Sequence, residues 1–128
     1  MGQTIGGSSD AVKPMKARKI EWRTYGDSLA HRLVTLRRSR GLSQERLAEL
    51  AGLHRNQISN IERNVSSNEG VSDPHLSTVY RLAAALDVAP ALLMPDLDRR
   101  VAKKSPEQAS GRAIAAVEAT LREALDGR

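Results

Sequence analysis

Apolar residues along this chain fall in short runs at helical spacing, divided by turn residues. In "DSLAHRLVTLRRSRG", Leu29, Leu33, Val34 and Leu36 repeat every three or four positions, with Asp27 or Ser28 as N-cap and Gly41 as a stop. Ser43 caps a second, short helix whose inner face is Leu47, Ala48, Leu50 and Ala51, ended by Gly52. A third runs from about Arg55 to Arg63 with Ile58 and Ile61 on one side, and Leu53 at N′ with Ile58 at N4 forms a hydrophobic staple. "NVSSNEGVSD" is turn-rich and reads as a loop, after which Asp73 and Pro74 open a helix carrying Leu76, Val79, Tyr80, Leu82, Ala83 and Leu86. Pro90 starts a short fifth helix, "PALLM", closed by Pro95.

Beyond these, "DLDRRVAKK" reads as a linker to a last helix, with Ser105 and Gln108 as a capping box and Pro106 at N1. Ile114, Val117, Leu121 and Leu125 form one stripe on it. A lone helix of this length is marginal in water, and Gly111 costs it about 1 kcal/mol, so the stripe needs a partner surface. It folds back on the domain or meets its copy in a dimer. The dimer seam is the expected role of these four residues.

Composition narrows the class. With 128 residues, one small core plus tails is the expected organisation. One Trp, two Tyr and no Phe leave the core to Leu, Ile, Val and Ala, which favours packed helices. Absence of Cys excludes disulfides, thiolate metal sites and a thiol nucleophile, and His31, His54 and His75 lack ligand spacing. No stretch approaches the ~20 apolar residues of a membrane span, and no signal peptide opens the chain, so a cytoplasmic protein without membrane contact is expected. Enzyme parts are missing as well: Glu45, Glu49 and Glu62 lie on helices among Arg residues, and there is no glycine-rich phosphate loop.

Net charge is +5, which suits a polyanion only if the charge is placed to meet one. From Ser28 to Arg63 there are seven Arg against three acidic residues, so positive charge is concentrated in the stretch that would meet a polyanion. With Ile58 and Ile61 turned inward, Asn56, Ser59, Asn60 and Arg63 point outward and Arg55 lies on the shoulder. That face is polar and free of carboxylates, and Arg and Asn can make bidentate contacts to guanine and adenine edges.

Counting from Gln44, the pattern Leu47, Ala48, Gly52, Ile58, Ile61 is what two helices crossing steeply at a tight turn require. "LRRSRGLSQERLAELAGLHRNQISNIERN" with "PHLSTVYRLAAALDVAPALL" resembles the helix-turn-helix of the phage Cro and C1 repressor family, also called the XRE family, over about Leu29 to Met94. The resemblance implies an all-α, five-helix Cro/C1 repressor-like domain at residues 27–95. A flexible basic arm at 1–26 would precede it, and 96–128 would follow as a linker and C-terminal helix for dimerisation or interaction. It further implies a recognition helix in the major groove of double-stranded DNA. Arg55, Asn56, Ser59 and Asn60 would then read bases, while Gln44, Arg40, Arg46, His54, Arg63 and Asn64 would contact phosphate. Arg37 and Glu62 match a structural ion pair of the family. No cofactor is implied. The expected function is a transcriptional repressor, bacterial or phage-encoded and nucleoid-associated, binding an operator as a homodimer with half-sites about one helical turn apart. The rival is an antitoxin-type module whose C-terminal segment binds a protein partner.

The chain departs from the family in three places. His54 stands at an N-cap where a small hydroxyl residue is common, so either it caps poorly and touches phosphate or the helix starts elsewhere. Asn64 replaces the usual Gly, which Asn can do in the left-handed region with modest strain. The loop after it is longer than is common, and carries Glu69 and Asp73 where relatives have basic residues. Of the lead-in, Lys13, Lys16, Arg18, Lys19 and Arg23 are expected to be disordered or to form a minor-groove arm, and Trp22 and Tyr25 to pack on the domain.

Overall fold

The computed structural model describes residues 19–67 and 70–127. Lys13, Lys16, Arg18 and Glu69 lie outside them. Among the described residues there are five α-helices and no strand: α1 (Trp22–Ser39), α2 (Gln44–Ala51), α3 (Arg55–Glu62), α4 (Leu76–Leu86) and α5 (Gly111–Asp126). Single 3-10 turns at Pro90–Leu92 and Pro106–Gln108 join the last two. Leu33 and Leu36 of α1, Leu47 of α2, Ile58 of α3 and Leu82 and Leu86 of α4 converge on one fully buried core with Leu93. Residues at i, i+3 and i+4 share a helix face, so the spacing that marked these helices also aims them at one another, although Leu50, expected on the inner face of α2, is exposed.

Several boundaries differ from those expected. α1 begins at Trp22 and not at Asp27 or Ser28, because its first turns have a tertiary surface to cover. The Tyr25 hydroxyl donates to Ala102 O and accepts from Ala102 N, and Glu21 N donates to Lys103 O at 2.8 Å. α4 starts at Leu76 after His75, whose carbonyl accepts from Thr78 N and Val79 N, so Asp73 and Pro74 stay in the loop. The fifth helix expected at Pro90 amounts to one 3-10 turn. The capping box at Ser105 does not form. Ser110 caps α5 by accepting from Ala113 N, and Gly111 falls on the first position, outside the helix interior where glycine is unfavourable.

The segment beyond residue 95 packs into the same body. Leu121 is fully buried in the common core, with Val117 and Leu125 against it, so the apolar stripe of α5 is covered by the chain's own α1 side of the domain. Of the four residues expected on a dimer seam, Leu121 is buried within the chain, Val117 and Leu125 pack against the same core, and Ile114 is half-buried beside them. Polar contacts finish the attachment. Arg32 grips Glu107 with two bonds, at 2.9 and 2.7 Å, and donates its third to Leu92 O, while Glu107 also accepts from Asp96 N. Ser105 gives its only hydroxyl proton to Asp96 at 2.7 Å, so in the 2.6 Å contact between the two serines Ser28 is the donor.

His31 Nε2 and Glu118 Oε2 make a 2.7 Å contact between α1 and α5. This hydrogen bond, more than the nearby charges of His31 and Arg122, holds the Glu118 carboxyl below the usual carboxylate range. A lowered acid contributes stability above its unfolded pKa and loses it as pH falls through the folded value. The melting-temperature gap between the parent and Glu118→Gln should therefore close on acidification below about pH 4, and a gap that stays constant would refute the contact.

Candidate nucleic-acid interface

The corner between α2 and α3 is built locally. Ser43 accepts from Arg46 N at 3.0 Å and so caps α2. At the other end Gly52 takes φ 70°, and Leu53 N bonds back to Ala48 O at 2.9 Å, the closing bond of a Schellman turn. Ala48 is buried at the crossing, where a longer side chain would force the helices apart. His54 is the N-cap of α3, and Gln57 accepts from its backbone N–H at 2.9 Å, so Gln57 supplies the half of the cap that does not depend on the imidazole.

Ile58 and Ile61 anchor α3, with 0% and 4% exposure. This leaves Arg55 and Asn56 exposed and Ser59 and Asn60 half-exposed on the outer side. Arg63, also exposed, donates to Asn60 Oδ1 at 3.1 Å and orients that amide. Glu62 is the only acidic side chain on α3, and it is turned inward. Arg37 clamps it at 2.6 and 2.9 Å, donates a third bond to Leu42 O, and Gln44 adds a bond to Glu62 Oε1 at 2.9 Å. The hydrogen bond to Glu62 raises the Arg37 pKa, outweighing the opposite pull of burial, so the guanidinium keeps its charge. One carboxylate thus ties α1, the start of α2 and the end of α3 together, and leaves the outer face of α3 with cationic and neutral groups alone.

The six residues expected on phosphate separate into two groups. Arg46 is exposed at the start of α2, paired loosely with Glu49 at 3.0 Å, a contact that a phosphate can displace. Exposed His54 stands at the start of α3, while Gln44, which donates to Glu62, and Arg63, which donates to Asn60, stand at the start of α2 and the end of α3. Arg40 and Asn64 are engaged elsewhere. Arg40 donates to Leu86 O and Asp87 O at 2.9 and 3.0 Å, where a cation complements the carbonyl end of α4. Asn64 takes φ 54°, is 4% exposed, and its amide is wholly committed inside the protein. Neither shows in sequence as structural, because both bond to residues far along the chain.

Ser66 and Ser67, not singled out in the sequence, border an open groove with Asn56, Asn60 and Arg63. They flank the outer face of α3 because the chain turns back after Asn64, with Ser66 N bonded to Gly70 O. No described helix is long and apolar enough to cross a membrane, and no group of metal-binding side chains occurs among the described residues.

A helix-turn-helix family model, HTH_3, matches residues 33–93. The restriction-modification controller protein C.AhdI from Aeromonas hydrophila is 36% identical, with 54% of this chain and 96% of that one covered and a TM-score of 0.47. A hypothetical transcription factor, NHTF, from Neisseria is 32% identical over 66% of this chain and 90% of that one, TM-score 0.49. An HTH_3 family transcriptional regulator from Vibrio cholerae is 30% identical over 56% of this chain, which spans 36% of that protein, TM-score 0.49. No curated protein matches the chain. The matched residues span α2, the Gly52 turn, α3 and its ion pair, and on that match the chain belongs to the HTH_3 helix-turn-helix family of non-enzymatic, DNA-binding transcriptional regulators.

Proposed function

We propose that the protein is a repressor that binds operator DNA as a two-fold dimer, with α3 in the major groove. The observation that carries this reading is the outer face of α3, where Arg55, Asn56, Ser59 and Asn60 stand together while its only carboxylate is buried and neutralised. Such a face offers donors and amides to base edges without repelling phosphate. One short helix reaches few base pairs, so useful specificity calls for two copies on a symmetric site. Arg46, Gln44, His54 and Arg63 would hold the backbone on either side. A dimer would use a surface other than the inward stripe of α5. The partner-binding alternative for the C-terminal segment loses its main support, since that stripe is occupied within the chain.

Selection of bound sites from random DNA by the purified protein tests the reading, and an inverted repeat is the expected product. On the selected site, Arg55→Ala or Asn56→Ala should lose about 1–3 kcal/mol and relax preference at the contacted position. Affinity should fall steeply with salt as counterions are released. Equal losses on random DNA would remove these residues as base readers, and a flat salt response would remove DNA as the partner.

A further inference from the structure

We infer that the first turns of α1, ahead of the segment shared with the family, act as a strut that sets the end of the recognition helix, with Asn64 as the positioning residue. The inference rests on the DNA-binding reading above. Asn64 directly follows the last turn of α3 and its amide makes three bonds. Nδ2 donates to Arg23 O at 2.9 Å and to Asp27 Oδ1 at 2.8 Å, and Oδ1 accepts from Ser72 N at 3.3 Å. Trp22 adds a parallel tie, its indole N–H donating to Ser72 O at 2.9 Å. Both ends of the loop after α3 are therefore fastened to Trp22–Asp27, which lies outside the family match at 33–93.

Gly26 shows that this contact is built into the chain. It lies inside α1, where glycine is about 1 kcal/mol less favourable than alanine, and a Cβ there would overlap the Asn64 amide oxygen. The helix thus carries an unfavourable residue at the one place where the Asn64 side chain lies flat on its backbone. Asn60 and Arg63, which face the groove, belong to the turn that Asn64 holds. Without the amide, that turn keeps Ile61, Glu62 and the backbone bonds of Arg63, Asn64 and Val65, but it loses its tie to α1 and the outer side chains lose their aim.

Three full-length variants separate positioning from stability. Asn64→Gly keeps the left-handed backbone and removes the amide. Gly26→Ala displaces the amide from the other side. The double variant N64G/G26A has room for the new methyl and regains helix propensity, so it should melt above N64G alone. Trp22, the only tryptophan, reports the strut without DNA through its fluorescence and quenching. We expect all three variants to free Trp22 and to lower the affinity ratio of selected operator to random DNA by about tenfold, the size of one bidentate base contact. Random-DNA affinity and the salt slope should remain. A double variant that melts like the parent yet still discriminates poorly supports positioning. A double variant that discriminates as the parent does overturns it and leaves the DNA-binding reading intact. A parent that selects no sequence overturns both, whatever Trp22 reports.

Discussion

Replacing Arg37 with Met should lower the unfolding free energy by about 3–5 kcal/mol, the range found when one partner of a buried ion pair is removed. The side chains of Arg37 and Glu62 are 11% and 6% exposed, so water cannot take the place of the guanidinium. Glu62 would keep the single bond from Gln44, and Leu42 O would lose its donor. Since a small domain holds only about 5–15 kcal/mol in total, this one change approaches global unfolding. Arg37 has a raised pKa, so its contribution is present below the unfolded value and lost only at extreme alkaline pH. Urea unfolding at neutral pH measures the effect. The double variant R37M/E62M should recover most of the loss, because well-packed apolar pairs often replace buried ion pairs without penalty. A loss of less than about 1 kcal/mol in R37M would place the pair among ordinary surface contacts.

Leu121→Ala should destabilise the protein by about 2–5 kcal/mol, through lost burial and the cavity left behind. Leu121 is fully buried, and it is the point at which α5 enters the core. Because its partners lie in the same chain, the loss should not depend on protein concentration. A seam between two copies would behave differently, with a melting temperature that falls on dilution and a variant that shifts the monomer–dimer balance. Equilibrium denaturation of parent and L121A across a wide concentration range distinguishes the two. A loss in L121A that changes with concentration, or a monomer–dimer balance shifted by L121A, would return the stripe to the dimer role expected of it from sequence, whereas a dependence shared equally by parent and variant belongs to a dimer surface elsewhere.

The four helices α1 to α4 and their corner were readable because their signals are local. Ser43 caps within its own turn, Gly52 adopts the left-handed turn its position demands, and Ile58 and Ile61 show the buried side of α3 by spacing alone. The outer face of α3 follows from the same geometry. Boundaries were less legible. The start of α1 at Trp22 depends on Ala102 and Lys103, and Ser105, which resembled a helix cap, instead bonds Asp96 and Ser28.

What the sequence by itself determined is the presence of α1 to α5, the tight crossing of α2 and α3, and which side of α3 faces out, since 3.6-residue periodicity and capping act within a few residues; the further helix it called for at Pro90 is a single 3-10 turn. What only the tertiary structure decided is the assignment of polar side chains and the fate of the last stripe. Arg40 looked like a phosphate contact until it met the end of α4, and Asn64 until it met Arg23 and Asp27. An exposed polar side chain and a committed one have the same letter in sequence, and what separates them here is a partner 37 to 46 residues away. An apolar stripe likewise demands burial without naming the surface, and α1 with the common core provides it for α5.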